Sequence, residues 1–132
     1  MKDQTVADVG TITDSAKAYS FIESLHRDIG CGTVSAILLD WNKRAVGVTS
    51  HDSGLSQGLG NIYDQAVREV NCFGVVVALN GQIDKLIQDY IPPVLNLRYA
   101  LNSRGRLLID VIIIQRGEYF SFADNSKHKL SE

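Results

Sequence analysis

Two short runs with no polar face set the terms on which this chain can fold. Residues 107–114 read Leu-Leu-Ile-Asp-Val-Ile-Ile-Ile, and residues 73–79 read Phe-Gly-Val-Val-Val-Ala-Leu. Both are short and rich in β-branched residues. A half-exposed strand would alternate apolar with polar positions, and neither run does. Both therefore read as strands covered on two faces. A sheet covered on two faces needs helices packed on it.

The rest of the sequence supplies them. Thr13-Asp14-Ser15 offers helix N-caps, and Ala18, Tyr19, Ile22 and Leu25 follow at helical spacing until Gly30 and Gly32. Residues 33–40 form a third apolar run, which turns at Trp41-Asn42-Lys43-Arg44 into a strand over 45–50, a hairpin. Residues 51–60 are rich in Gly and Ser and read as a loop. Asn61 then caps a helix that sets Ile62, Ala66 and Val70 on one face and stops near Asn71. Gln82 to Ile91 is helical in pattern. Pro92 and Pro93 break it and start another helix carrying Val94, Leu97 and Leu101, with Gly105 as its stop. Gln115-Arg116-Gly117 turns the strand over 107–114 into one over 118–122.

The expected fold is α/β (α+β), a mixed β-sheet with packed helices in one domain over 11–123. Residues 1–10 and 124–132 are expected as polar tails. The chain has 132 residues, enough to bury a core without disulfide or metal staples. It is 45% hydrophobic and 21% charged, which excludes wholesale disorder. A formal net charge of −2 gives no broad attraction for nucleic acid. The N-terminus does not look secretory, and no apolar run approaches the roughly 20 residues of a membrane helix. A cytoplasmic location with no membrane is therefore expected, with Cys31 and Cys72 as reduced core thiols.

The polar residues offer little local chemistry. His26, His51 and His128 are scattered and form no zinc-binding spacing with one another. His51 follows a strand and adjoins Asp52 and Ser53. Gly54, Gly58 and Gly60 precede a helix, but neither Gly-Lys-Ser/Thr nor GxGxxG is present. Asp84 and Asp89, like Asp64 and Glu69, are five residues apart, so each pair misses a common helix face. Asp110 stands out because it lies inside an apolar strand. A buried carboxylate needs partners, so it is either a hydrogen-bond hub or part of a site. Arg98, Arg104 and Arg106, beside Tyr99, form the one basic cluster suited to a phosphate backbone.

Together these segments resemble the RadC-like, bacterial-type branch of the JAB/MPN (JAMM) domain family. In that branch a hydrophobic strand ends in Ala-His-Asn-His-Pro. A later strand begins Leu-Asp-His-Ile-Ile-Ile, and a Gly-x-Tyr-x-Ser-Phe hairpin follows. The corresponding runs here are Val75 to Gln82, Leu107 to Ile114, and Gly117-Glu118-Tyr119-Phe120-Ser121-Phe122. Ala36 to Asp40 with Asn42 matches the family's first hairpin, and Leu59 to Val70 the helix before the metal strand. Ile12-Thr13-Asp14 matches the lead-in to its first helix. The resemblance covers about residues 11–123 and implies a JAB/MPN-like, cytidine-deaminase-like three-layer architecture.

The departures from the family's pattern bear on function. Active members hold zinc with two histidines and an aspartate, and a glutamate acts on the zinc-bound water that attacks an isopeptide or peptide carbonyl. The histidine positions match Leu79 and Gly81, with Asn80 retained between them and Gln82 at the proline position. Counted on without gaps, the serine and aspartate positions fall at Asp89 and Pro92. Asp110 is kept, its histidine neighbour becomes Val111, and the glutamate position lies near Gly32. Leucine and glycine cannot ligate zinc, which needs three protein ligands beside an open position. Asp84 or Asp89 turned into the cleft would supply carboxylates alone, which suit harder cations. Gln82 and Tyr90 are the side chains able to fill such a cleft.

The resemblance thus implies a catalytically inactive, metal-free module that binds or scaffolds, in a DNA-repair-like setting, with a protein partner or a second copy. One rival is a hydrolase with relocated chemistry drawn from His51, Asp52, Cys72, Asp84 and Asp110. Another is weak nucleic-acid binding through Arg98, Arg104 and Arg106.

Overall fold

The most apolar runs occupy the middle of a six-stranded sheet ordered β2-β1-β3-β4-β5-β6. The computed structural model describes residues 11–29, 34–52 and 54–129, with side chains throughout except at 25–29 and 87. The strands are β1 (Val34–Leu39), β2 (Ala45–His51), β3 (Gly74–Asn80), β4 (Leu107–Gln115), β5 (Glu118–Ser121) and β6 (Ser126–Lys129). All pairings are antiparallel except β3 with β4, which is parallel. The helices are α1 (Ser15–Ile29), α2 (Leu55–Arg68) and α3 (Ile91–Asn102). This is the mixed sheet with packed helices that the sequence implies.

Strands β1 and β3 have two inner faces. On one, Val34, Ala36, Leu38, Val75, Val77 and Leu79 pack against α2 and α3. On the other, Ile37, Leu39, Val76 and Ala78 meet Ala18, Phe21 and Ile22 of α1. Period-two alternation sends neighbouring residues to opposite layers, so a strand between two layers must be apolar throughout. Asp14 starts α1 as its N-cap, its Oδ1 accepting the Lys17 N–H at 2.9 Å. Among the described residues, no helix is long and apolar enough to cross a membrane.

Three local expectations are corrected. Of the glycine-rich run, His51 ends β2 and α2 begins already at Leu55, with Gly58 and Gly60 inside it. A Cβ on Gly58 would sit 2.8 Å from Val34 Cγ2, so this glycine lets the helix backbone close onto β1. The segment before α3 is a 3₁₀ turn (Ile83–Lys85) followed by a π-helical turn (Leu86–Tyr90). It runs into α3 without a break, because Pro92 and Pro93 stand in the first helical turn, where a missing N–H costs nothing.

The polar run after Ala123 is not a loose tail through 129. Ser126–Lys129 adds as β6, pairing with all of β5. His128 stacks on Tyr119 at 4.8 Å and bonds Asp124 Oδ2 at 2.9 Å. Backbone pairing holds this strand, and its lysines suit a sheet edge. Cys31, Gly32 and Ser53 lie outside the described residues.

Gly58→Val is expected to lower stability by about 1–3 kcal/mol through overpacking against β1. Gly60→Ala, with nothing within 4 Å of its added Cβ, should be neutral or raise stability by up to about 1 kcal/mol. Urea unfolding of the two variants checks the pair.

Candidate functional site

Parallel β3 and β4 end at the same rim of the sheet. In open α/β sheets, the crevice outside the carboxyl ends of such strands is the usual ligand position. Here the crossover folds back over it. Gly81 N–H donates to Ile114 O at 3.1 Å, and Ile83 N–H to Gln115 Oε1 at 2.8 Å. Gln115 Nε2 is itself bonded to Glu118. The π-helical turn then brings Tyr90 across the strand end, where its hydroxyl accepts the Gln82 N–H at 3.1 Å. A Cβ added to Gly81 would lie 2.1 Å from that hydroxyl. Tyr90 thus occupies the space a side chain at 81 would need.

The other positions at this rim follow from their elements. Leu79 is a core residue, 2% exposed, packed toward α2 and α3. Asn80 ends β3 and is half-buried. Asp89 is solvent-facing and pairs with Lys85 at 4.0 Å, a separation and exposure that contribute little. Pro92 lies in the exposed first turn of α3, and Asp84 is exposed on the 3₁₀ turn. Among the described residues, no three His, Cys, Asp or Glu side chains converge as a metal-ligand group. This donor set does not fit the zinc of the resembled family, since two positions carry no donor atom and a tyrosine hydroxyl fills the gap between strand and crossover.

Asp110 is 7% exposed and bonded at both oxygens. Its Oδ1 accepts the N–H groups of Val111 at 2.7 Å and Ala123 at 2.9 Å. Its Oδ2 accepts the Ser121 hydroxyl at 2.7 Å. Burial pushes its pKa up, and the three donors partly offset this. The residue is a hub that ties the chain after β5 onto β4. His51 is elsewhere. It pairs across from Val34, on the face toward α2 and α3, whereas Asp110 pairs across from Val76, on the face toward α1. His51 Nε2 bonds Thr49 Oγ1 at 2.6 Å. Cys72 is buried, its thiol donating weakly to Gly74 O at 3.5 Å, and burial pushes its pKa up, the reverse of an activated nucleophile. His51, Asp52, Cys72, Asp84 and Asp110 are not brought to one pocket.

The three arginines part ways. Arg106 donates to Val67 O and Glu69 O at 3.3 and 3.2 Å, satisfying carbonyls at the C-terminus of α2, and to Arg104 O in its own turn at 2.8 Å. Arg104 reaches Tyr63 Oη at 3.4 Å. Arg98 alone lines the groove between α3 and β4, a cavity of about 340 Å³.

A polar cluster on the α1 face had no signature in the sequence, because Asp124 and His128 fall in the segment expected as a tail. Ser15 Oγ donates to Asp124 Oδ2 at 2.6 Å and contacts Tyr119 Oη at 3.1 Å. Asp124 Oδ2 also bonds His128. The carboxylate bridges serine and histidine here, whereas nucleophilic catalysis needs the histidine between them. The Ser15 hydroxyl, with His128 beside it, holds the Asp124 carboxyl below its usual pKa, which makes it a poor base. The cluster pins α1 to β5 and β6.

No protein-family model matches the chain, and no curated protein sequence matches it.

Because the folded state raises the Asp110 pKa, native protein binds more protons than unfolded protein between the unfolded and folded values. Its contribution therefore grows as pH falls through the folded pKa and weakens as pH rises. Stability of the wild type relative to Asp110→Asn should increase from neutral pH toward pH about 4. Asp110→Ala orphans two N–H groups and a hydroxyl and should cost about 1–3 kcal/mol, with the larger cost toward pH about 4. Denaturant titrations across pH measure both.

Proposed function

We propose that this chain is a RadC-like JAB/MPN-type domain whose metal-binding strand end has been rebuilt as a packed closure, and that it works as a binding module and not as a hydrolase. The carrying observation is the Tyr90 hydroxyl, seated against Gly81 and bonded to the Gln82 N–H. With Leu79 turned into the core, the strand end offers neither a donor set nor room for substrate and water. The order of the elements and the closing Gly-x-Tyr-x-Ser-Phe hairpin support the family reading. A protein partner is favoured over nucleic acid. Of Arg98, Arg104 and Arg106, only Arg98 faces a groove, while Arg106 is spent on the end of α2.

The reading predicts that protein mixed with equimolar zinc and passed through gel filtration retains far less than one zinc per chain. It also predicts that isopeptide-linked and linear peptide substrates remain intact. Stoichiometric zinc by metal analysis would overturn it. Tyr90→Phe should fold, lose about 0.5–1.5 kcal/mol, and speed hydrogen exchange at the Gln82 amide, since that bond is what the hydroxyl adds.

A further inference from the structure

The sheet is left open along one stretch. β5 pairs with β4 only over Ile112–Gln115, so residues 107–111 extend past the end of the hairpin. The upper limit of the gap is closed by Asp110. Its Oδ1 takes the Val111 N–H, and Val111 O takes the Phe122 N–H at 3.0 Å. Below that point Leu107 donates its N–H toward β3, to Phe73 O at 2.9 Å. Alternation along the strand then turns the peptide groups of Leu108 away from β3, into the gap. A bulge at Ile109 follows, where the register with β3 shifts.

Three cavities meet at this edge, and Ile109 lines all of them. One of about 340 Å³ lies under α3, one of about 150 Å³ on the α1 face, and one of about 490 Å³ beside Phe73 and Leu107. Of the three, only the cavity beside Phe73 is lined by cations without a carboxylate. Lys43 and Arg98 stand at the Phe73 end, and neither enters an ion pair among the described residues. Asp14, Asp110 and Asp124 line the cavity on the α1 face, which Lys43 also borders, and Asp110 shares the cavity under α3 with Arg98. Residues of α3 and the chain at Phe122 and Ala123 line the cavity beside this edge, which favours a single strand over the flank of a second sheet.

We propose that this notch binds an extended peptide of a protein partner, which adds to β4 antiparallel, in line with β5. Its alternate residues would be apolar and its C-terminal end acidic, so that the acid meets Lys43 and Arg98. Main-chain bonds to Leu108 would supply affinity, and the cavities on either side would select side chains. The proposal rests on the binding-module reading and names its surface and ligand class.

The test uses two acetylated, amidated peptides, KTVTVTVD and its reversed-charge counterpart DTVTVTVK, titrated into the whole chain with amide NMR as readout. The acid-ended peptide is expected to shift and protect the Leu108 and Ile109 amides. N-methylation of its central valine should abolish this, because strand addition needs that N–H. Lys43→Glu with Arg98→Glu alters exposed side chains only. It should weaken the acid-ended peptide at least about fivefold and favour the lysine-ended one. Equal affinity for both peptides on the wild type, indifference to N-methylation, or no shift at these amides in folded protein would each overturn the proposal. So would protection of the same amides by rising protein concentration without peptide, which would mean that a second copy takes the edge. Cleavage of bound peptide would count against the non-catalytic reading alone, whereas absence of binding counts against strand addition alone.

Discussion

Two strands that run side by side in the same direction cannot be joined by a turn. The parallel register of β3 with β4 obliges the chain to leave the sheet at Asn80, cross a whole face and return at Leu107. The 3₁₀ turn, the π-helical turn and α3 are that crossing. Its first part must pass over the carboxyl ends of both strands, which is how Tyr90 comes to lie against Gly81. Its last part lays Val94, Leu97 and Leu101 over the face that β1 and β3 present to α2. The candidate site and half of the core are thus consequences of one pairing.

Asp110 shows how a single polar residue organises the far side of the same strand. Its carboxylate gathers two backbone N–H groups and a hydroxyl at the point where β5 leaves β4. Replacing any of those bonds with water would be simple on the surface and costly at this depth. The outcome is a definite stop to the hairpin, and below that stop the edge of β4 is uncovered. Closure at one end of the β3–β4 pair and an opening at the other give the domain its asymmetry.

Much of the architecture was legible in the residues. The uncharged runs at 73–79 and 107–114 have one good solution, a strand covered twice, and both became central strands. Thr13-Asp14-Ser15 was readable as a choice of caps before a helical repeat, and Asp14 takes the role. Other features were not readable. Gly58 looks like a loop residue until Val34 is known to press on it. The polar 126–129 segment has no hydrophobic pattern, and becomes a strand through backbone bonds and the Tyr119–His128 stack. Arg106 reads as a cation for phosphate but is spent on carbonyls at the end of α2, a partner distant in sequence.

Residue type and local spacing alone dictate the layered α/β class and the lack of ligating atoms at Leu79 and Gly81. Tertiary structure decided that Tyr90 fills the space beside Gly81, that His51 and Asp110 lie on opposite faces, and that the edge of β4 stays open. Each of these depends on which strands are neighbours and where a pairing stops. Register and crossover fix such facts across the whole chain, and no local pattern encodes them.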